Sequence, residues 1–365
     1  MWHKLSFMTR AAVGTGLAVV GAASLFRYLE LSLGGGAGLP LDDSWIHLQF
    51  ARNIAAGQGF AFNPGEATSG STAPLWTLSL AALMLLPWEI LDSIKVVGLL
   101  FHWASCLFAV RLARHHGLEP GWSFLVGLVV AITPRLVWGA LSGMEIPLYL
   151  MLATAGLCLH VESIKRSPSI LGTSLLALAV LARPECLILF PLSLVDRWRA
   201  NPLGTHLRAN LTHGLIYVGI IAPAIVFNLH TSGRPLPNTF YAKVGSYGLL
   251  HAVATFDLLQ IVKTVVVYPL FQARELVQFA VENNLILGLV FLWGCVELLR
   301  HKRDNLSSWI IPLSLIAFPL LRGALAPFKG ALFQHGRYAA FLVPLIAVAG
   351  VIGLRGLLEI ATSGR

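Results

Sequence analysis

The chain has 365 residues, of which 56% are hydrophobic and only 12% are charged, whereas an ordinary soluble domain is about 25% charged. This composition excludes a soluble globular protein. The net charge of +9 comes from cations spread along the whole chain, so it does not indicate a nucleic-acid-binding protein, which concentrates its cations in one block.

Apolar runs of nearly the length that a helix needs to cross a bilayer recur from one end of the sequence to the other. The segments between them are too short to form a separate soluble domain. We therefore predict an all-α polytopic membrane protein with one domain over residues 1–365. The first apolar run follows Lys4 and Arg10 as a secretory signal would, but it lacks a small-residue cleavage site and many spans follow, so we predict a retained helix.

The basic loops predict the orientation of the chain, because Lys and Arg accumulate in cytoplasmic loops. These loops contain Lys4 with Arg10, Arg111 with Arg114, Lys165 with Arg166, Arg197 with Arg199 and Arg208, Arg300 with Lys302 and Arg303, and Arg355 with Arg365. They predict about ten transmembrane helices with both termini in the cytoplasm. The predicted spans are 11–30, 94–113, 122–139, 146–162, 169–182, 186–196, 212–230, 282–299, 308–322 and 338–357.

Two further apolar stretches do not fit as simple crossings. Residues 74–86 lie within the first outer loop (about 31–93), and a crossing there would move the Arg111 loop outside. We predict a helix at the outer interface, which its short length allows. Residues 249–270 lie in the outer loop 231–281 and form either one interfacial helix or part of an extra pair of crossings.

The predicted outer loops are rich in ionisable and polar residues, although outer loops usually carry fewer cations than inner ones. The set comprises Asp42, Asp43, His47, Arg52, Glu66, Glu145, Arg183, Glu185, Arg234, Asn238, Tyr241, Lys243, Lys329, His335 and Arg337. Five loops thus bring carboxylates and cations to one face, as in a binding site built on a helical scaffold. The alternative is a solvated loop surface with ordinary salt bridges.

The adjacent acids Asp42 and Asp43 follow a glycine-rich exit from the first helix and precede a helix predicted from Ser44 to about Ala56. Asp42 is placed to cap that helix. A cap requires only one acid, so the other is available for a metal, a proton or an acceptor hydroxyl.

Several motifs resemble those of GT-C glycosyltransferases, multispan enzymes that use polyprenyl-phosphate sugars and include bacterial mannosyl- and arabinofuranosyltransferase-like members. The motifs are LDDSWIHLQFARNIAAGQGFAFNPGE (41–66), STAPLW (71–76), SGMEIPLY (142–149), LARPE (181–185), GRPLPNTFYAK (233–243) and GRYAAFLVP (336–344). The first block and PLPNTFYAK are the most specific. The resemblance implies a GT-C-type bundle with outer interfacial helices and a catalytic role for the first acid, Asp42, with Asp43 beside it. The sequence SGSTAPLW replaces an expected GYTSPLW-like segment, which leaves the acceptor open.

The chemistry that we expect is inverting transfer of a sugar from a polyprenyl-phosphate donor to a hydroxyl of a glycan, lipid or protein acceptor. Asp42 would take the proton of the acceptor. The leaving phosphate is already an anion, so cations should stabilise it. The candidates for binding the phosphate or the sugar are Arg183, Arg234, Asn238, Tyr241, Lys243, Lys329, His335, Arg337 and Tyr338, and further active-site candidates are His47, Arg52, Glu145 and Glu185.

A divalent cation is the one cofactor that the residues suggest. Asp43, Glu145 and His335 together offer two carboxylates and an imidazole, which could hold a metal bridging the phosphate. Glu145, just before Ile146 and Pro147, is equally well explained as an acid that stabilises the first turn of its own helix.

The expected location is a bacterial inner (plasma) membrane, with the active site on the periplasmic side and with membrane lipids as partners. Two other functions share many of these features. A transporter or flippase of lipid-linked sugars would use the same cations, although it would place charges near the middle of the bilayer and often contain internal repeats. A non-catalytic subunit of an envelope-glycan assembly complex would keep the fold without the reaction.

Overall fold

The computed structural model describes residues 6–36, 38–164, 167–200, 207–244, 248–300, 308–326 and 330–363. In these ranges the chain is helical, and its only β-type pairing is an isolated bridge between Ala61 and Ala67. The first eight α-helices are α1 (Phe7–Ser32), α2 (Asp42–Ala55), α3 (Pro74–Met84), α4 (Ile90–His115), α5 (Pro120–Ile132), α6 (Pro134–Leu141), α7 (Ile146–Glu162) and α8 (Ile170–Ala182).

The second half of the chain continues the bundle. Its helices are α9 (Leu189–Ala200), α10 (Leu207–Ser232), α11 (Asn238–Val244), α12 (Leu249–Ala254), α13 (Leu258–Val262), α14 (Tyr268–Asn283), α15 (Leu285–Arg300), α16 (Ile310–Leu325) and α17 (Val343–Ser363). Short 3-10 turns precede α9 and α17, and a π turn, Lys263–Val267, joins α13 to α14.

The outer surface of the bundle is suited to lipid. Leu17, Leu215 and Leu289 lie on three different helices and are 70%, 74% and 67% exposed. Large apolar side chains exposed at this density are unfavourable in water, whereas hydrocarbon solvates them. The surface therefore agrees with the composition in indicating a membrane protein.

Within the described residues, four helical segments are long and apolar enough to cross a bilayer alone, namely α1, α4, α10 and Ala340–Ser363. The bent pair α5 and α6 would make five. The helices α7, α8 and α16 match predicted spans but have only 17, 13 and 16 residues, and at 1.5 Å per residue each is shorter than the ~30 Å hydrocarbon core. The total of about ten crossings therefore stays a prediction.

The span predicted as one helix over 122–139 is broken. The chain bends by 53° between α5 and α6. Pro134 causes the break, because its ring lacks an N–H donor and disfavours a helical conformation at Thr133, which has ψ 116°. The span predicted over 122–139 is therefore two helices joined by a bend, which together are long and apolar enough for one crossing.

The prediction of one interfacial helix over residues 249–270 also requires correction. This stretch is not one helix, because α12 ends at Ala254 and Phe256 adopts a positive φ of 54°. The chain then restarts at α13, where the Asp257 side chain accepts a hydrogen bond from the Gln260 N–H. The alternative, part of an extra pair of crossings, stays a prediction. The helix predicted at 74–86 is present as α3, and its position at the outer interface stays a prediction.

The centre of the bundle is α7, which is buried on nearly all sides and packs against α4 and α8. A second close packing joins α15 to α17 through glycines. A Cβ placed at Gly294 would lie 1.7 Å from the Ala349 carbonyl oxygen, and one at Gly353 would lie 2.4 Å from the Val290 carbonyl oxygen. Only residues without a side chain permit these backbones to approach so closely.

We expect Gly294→Ala to destabilise the protein by at least about 1–3 kcal/mol, because the added methyl group forces α15 away from α17. Thermal unfolding in detergent would measure the loss. The matched control is Gly219→Ala on α10, where a new Cβ meets no atom within 4 Å and alanine favours the helix by about 1 kcal/mol. Equal melting temperatures for both variants would contradict the close packing.

Candidate active site

The two acids of the first outer loop begin α2. The N-cap position is Leu41, and no side chain caps the helix. Asp42 therefore does not act as the N-cap, contrary to prediction; instead its Oδ1 accepts a hydrogen bond from the Asp43 N–H at 2.9 Å. Both carboxylates lie in the first turn, where the positive end of the helix dipole stabilises negative charge.

The first outer loop is fixed to the loop before α7 by two buried hydrogen bonds. Ser44 Oγ donates to the Ser142 carbonyl at 2.8 Å, and Trp76 Nε1 donates to the Gly143 carbonyl at 3.0 Å. Trp76 is completely buried. The motifs around residues 42, 76 and 143, which are distant in sequence, are therefore adjacent in the fold.

Asp43 forms an ion pair with Arg337 of the GRY motif, residues 336–338. Arg337 Nη1 donates to Asp43 Oδ2 at 2.5 Å, and Arg337 is 3% exposed, whereas the Asp43 side chain is 35% exposed. Arg337 Nε is buried and has no hydrogen-bond partner in the described part of the chain. Asp42 is exposed on the same turn as Asp43 and forms no ion pair with a described residue.

A second acid and arginine pair lies deeper. Glu145 is fully buried, and its Oε1 accepts a hydrogen bond from Arg183 Nη1. Arg183 Nε also lies 3.0 Å from Glu185 Oε2, although the geometry is not that of a hydrogen bond. Glu145 occupies the N-cap position of α7, but its side chain makes no cap hydrogen bond. The carboxylate instead pairs with Arg183, which follows the last residue of α8.

His47 completes this buried group. Its Nε2 lies 3.6 Å from Glu145 Oε2, and its Nδ1 is 3.1 Å from the Thr77 hydroxyl. Burial lowers the pKa of His47 below its ordinary value, although Glu145 opposes the shift. Burial alone would raise the pKa of the Glu145 carboxyl, but Arg183 and His47 outweigh it and hold that pKa below its ordinary value. At neutral pH the pair is therefore a neutral imidazole beside a carboxylate.

Tyr338 lies among three guanidinium groups. The Cζ atoms of Arg183, Arg322 and Arg337 are 4.5, 4.8 and 5.4 Å from the centre of its ring, within the range of cation–π attraction. Arg322 Nη1 is also 3.7 Å from Glu185 Oε1. The sequence reasoning missed Arg322, although it is the one charged residue in the apolar sequence 310–325, and a charge in such a span is a sign of function.

The backbone before Arg337 is unusual. Gln334 and His335 have positive φ angles of 47° and 59°, which are unfavourable for residues with a Cβ. The final helix, predicted over 338–357, begins only at Val343, and Arg337 lies in the tight coil before it. The buried Tyr149 hydroxyl donates to the Arg337 carbonyl and holds this coil against α7.

The PLPNTFYAK residues form a separate, exposed group. Arg234 lies over the Tyr241 ring, with its Cζ 4.8 Å from the ring centre, and the Asn238 N–H donates to the Ser69 carbonyl at 3.3 Å. Through Asn238 this segment contacts the first outer loop. Arg52 is exposed in the last turn of α2. Lys329 and the side chain of Lys243 lie outside the described residues.

The predicted metal ligands do not come together. No group of three His, Cys, Asp or Glu side chains that could hold a metal exists among the described residues. The reason is that each predicted ligand has another partner: Asp43 binds Arg337, Glu145 binds Arg183, and the His335 ring packs against Trp138 at 5.1 Å. The proposed trio of Asp43, Glu145 and His335 was wrong as a metal site.

The sequence matches no family model, and no curated protein matches it significantly. Solved structures do match the fold. The archaeal oligosaccharyltransferase AglB from Archaeoglobus fulgidus, solved in complex with an inhibitory peptide and a dolichol-phosphate, has a TM-score of 0.63 at 11% identity and covers 98% of this chain and 51% of its own.

The crystal structure of the Archaeoglobus fulgidus oligosaccharyltransferase tethered to an acceptor peptide gives a TM-score of 0.58 at 13% identity, over 98% of this chain and 50% of its own. The chain thus spans about half the length of both structures. Likeness at this identity shows the fold and not the activity. The prediction of an all-α membrane protein with a GT-C-type helical fold is confirmed.

Proposed function

We propose that the protein is a glycosyltransferase that moves a sugar from a polyprenyl-phosphate donor to an acceptor hydroxyl on the outer face of a membrane. The observation that carries the proposal is the juxtaposition of an exposed carboxylate, Asp42, with the buried Arg337 through the Asp43 ion pair. One group can accept a proton, and the other can bind an anion.

The transfer can be written with these residues alone. The acceptor oxygen attacks the anomeric carbon while its proton passes to the Asp42 carboxylate. The bond between the anomeric carbon and the phosphate oxygen breaks, and the polyprenyl phosphate leaves with the electron pair. Attack opposite the leaving group inverts the configuration. No acid is required, because the leaving group is a stable anion.

The phosphate fits the arginines around Tyr338. Arg337 Nε is a buried donor that lacks an acceptor among the described residues, and such a donor is unfavourable unless a ligand supplies the acceptor. Arg183 and Arg322 add positive charge beside the same ring. Guanidinium groups bind phosphate oxygens through two parallel hydrogen bonds. The described residues do not bring three metal ligands together, and we assign no step to a metal.

The comparison supports a lipid-linked donor in general, because one similar structure holds a dolichol-phosphate. We extend this to a polyprenyl-phosphate sugar and to a protein of the bacterial mannosyl- or arabinofuranosyltransferase type on the motifs around residues 42, 145, 183, 238 and 337. In that setting the membrane is the bacterial plasma membrane, and both termini are cytoplasmic.

The test is to incubate the purified protein with polyprenyl-phosphate hexoses and pentoses, in the presence of glycan, lipid and peptide acceptors, and to identify the consumed donor by mass spectrometry. We expect consumption of one donor class with release of polyprenyl phosphate. Movement of an intact donor from one leaflet of a liposome membrane to the other, without consumption, would instead identify a flippase. If no donor is either consumed or moved across the membrane, the result would favour a non-catalytic subunit and contradict the proposal.

A further inference from the structure

Each of the three arginines beside the Tyr338 ring is paired with a carboxylate. The pairs are Arg337 with Asp43, Arg183 with Glu145, and Arg322 with Glu185. These pairs contain as many anions as cations, so as they stand they offer a further anion little net attraction. A phosphate group therefore binds strongly beside Tyr338 only if one of the arginines exchanges its carboxylate for the phosphate.

Among these carboxylates, Asp43 is the one that is placed to leave its arginine. The Asp43 side chain is 35% exposed, whereas those of Glu145 and Glu185 are 0% and 13% exposed. A carboxylate that leaves a cation must be solvated elsewhere, and burial makes this unfavourable. Asp43 lies in the first turn of α2, where it reaches water and where the helix dipole continues to stabilise its charge. Exchange is therefore least unfavourable at Arg337.

The guanidinium group of Arg337 can bind a phosphate better than it binds Asp43. Arg337 is 3% exposed, and its Nη1 donates to Asp43 Oδ2 at 2.5 Å. Its Nε is also buried but has no hydrogen-bond partner among the described residues, and a buried donor without an acceptor is unfavourable. A phosphate group has more acceptor oxygens than a carboxylate, and guanidinium groups bind it through two hydrogen bonds. Exchange can thus supply the acceptor that the pair with Asp43 leaves missing.

The charge of the phosphate changes during the proposed transfer. In the donor, the phosphate is bonded to both the sugar and the lipid and carries a single negative charge. After the bond to the sugar breaks, the phosphate is a monoester, which carries about −1.5 to −2 charge at pH 7. The attraction of Arg337 for the phosphate therefore increases during the transfer, whereas its attraction for the single charge of Asp43 does not.

We infer that the Asp43 carboxylate holds the place of the leaving phosphate on Arg337 and is displaced from it as the phosphate gains charge. The inference rests on the proposed function for the identity of the anion. Asp43 is then a specificity-determining residue, because an anion that binds Arg337 no better than a carboxylate does cannot displace it. Displacement of Asp43 is unfavourable for every bound anion, and the more highly charged product of the transfer offsets it best.

The experiment measures the affinity of the full chain in detergent for farnesyl phosphate, an isoprenoid phosphate monoester, by isothermal titration calorimetry, with inorganic phosphate in a parallel titration. We expect Asp43→Asn to bind farnesyl phosphate about three- to tenfold more tightly than the wild type, because no carboxylate then has to leave Arg337. If Asp43 merely held Arg337 in position, the same variant would bind more weakly. Asp43→Ala should show the same gain, so a folding defect in one variant does not remove the test.

The matched control is Glu66→Gln, which removes an exposed carboxylate from the same outer loop and should change the affinity by less than about twofold. In an Arg337→Gln background, Asp43→Asn should no longer tighten binding. An equal gain for inorganic phosphate supports exchange with the phosphate group itself, and a gain confined to farnesyl phosphate supports exchange with the lipid. Equal or weaker binding by Asp43→Asn, while the wild type binds, would overturn the inference and leave the proposed function standing. Binding of neither probe by any variant would overturn the proposed phosphate site as well.

Discussion

Asp42→Asn is expected to reduce the rate of transfer by about 10² to 10⁴-fold, because an amide cannot take the proton of the acceptor. The carboxylate is exposed and forms no ion pair with a described residue, so the variant should fold normally and keep its donor affinity. Single-turnover measurement with the donor identified by mass spectrometry would separate the chemical step from binding.

The matched control is Asp92→Asn, which removes another exposed carboxylate from the first turn of a helix, α4. It should leave the transfer rate unchanged. Turnover at the wild-type rate in Asp42→Asn would remove the proposed base. A loss of equal size in Asp92→Asn would show that the surface charge matters rather than the position.

Glu145→Ala is expected to lower the free energy of unfolding by about 3–5 kcal/mol, because it leaves the buried Arg183 with an incomplete set of partners. Glu145 is fully buried, and Arg183 is 3% exposed. Thermal unfolding in detergent would measure the loss. The free energies of the single variants Glu145→Ala and Arg183→Met and of the double variant give the coupling energy, which we expect to exceed about 1.5 kcal/mol.

The matched control is Glu162→Ala at the other end of α7. Glu162 pairs with Arg111, but these side chains are 36% and 43% exposed, and such pairs contribute only about 0–1 kcal/mol. Similar losses in Glu145→Ala and Glu162→Ala would mean that burial does not govern the strength of the inner pair.

The limits of a helix could be predicted where the ends of an apolar run coincide with helix-breaking or polar residues. The limits of α7 match the prediction 146–162, and those of α8 differ from the prediction 169–182 by a single residue. The bend at Pro134 was missed because apolar residues continue on both sides of it, and hydropathy does not register a lost backbone donor. The break between α12 and α13 depends on the positive φ of Phe256, for which the side chain itself gives no signal.

The candidate site was predictable as a collection of residues but not as a set of contacts. The pairing of Asp43 with Arg337 and of Glu145 with Arg183 joins residues that only the tertiary packing brings together. These pairings are also why the expected metal ligands are separated. Arg322 was overlooked because a single charge near the end of a span resembles an interfacial anchor. The roles of the site residues stay predictions.

The ion pair between Asp43 and Arg337 joins residues 294 positions apart. At about 5–20 residues per second, a ribosome makes the arginine roughly 15–60 s after the aspartate. During that interval Asp43 lacks Arg337 as its partner, while the helices between them are being made. The site that we propose can therefore be complete only after Arg337 has been made, so a chain that ends before this residue should not bind the proposed donor.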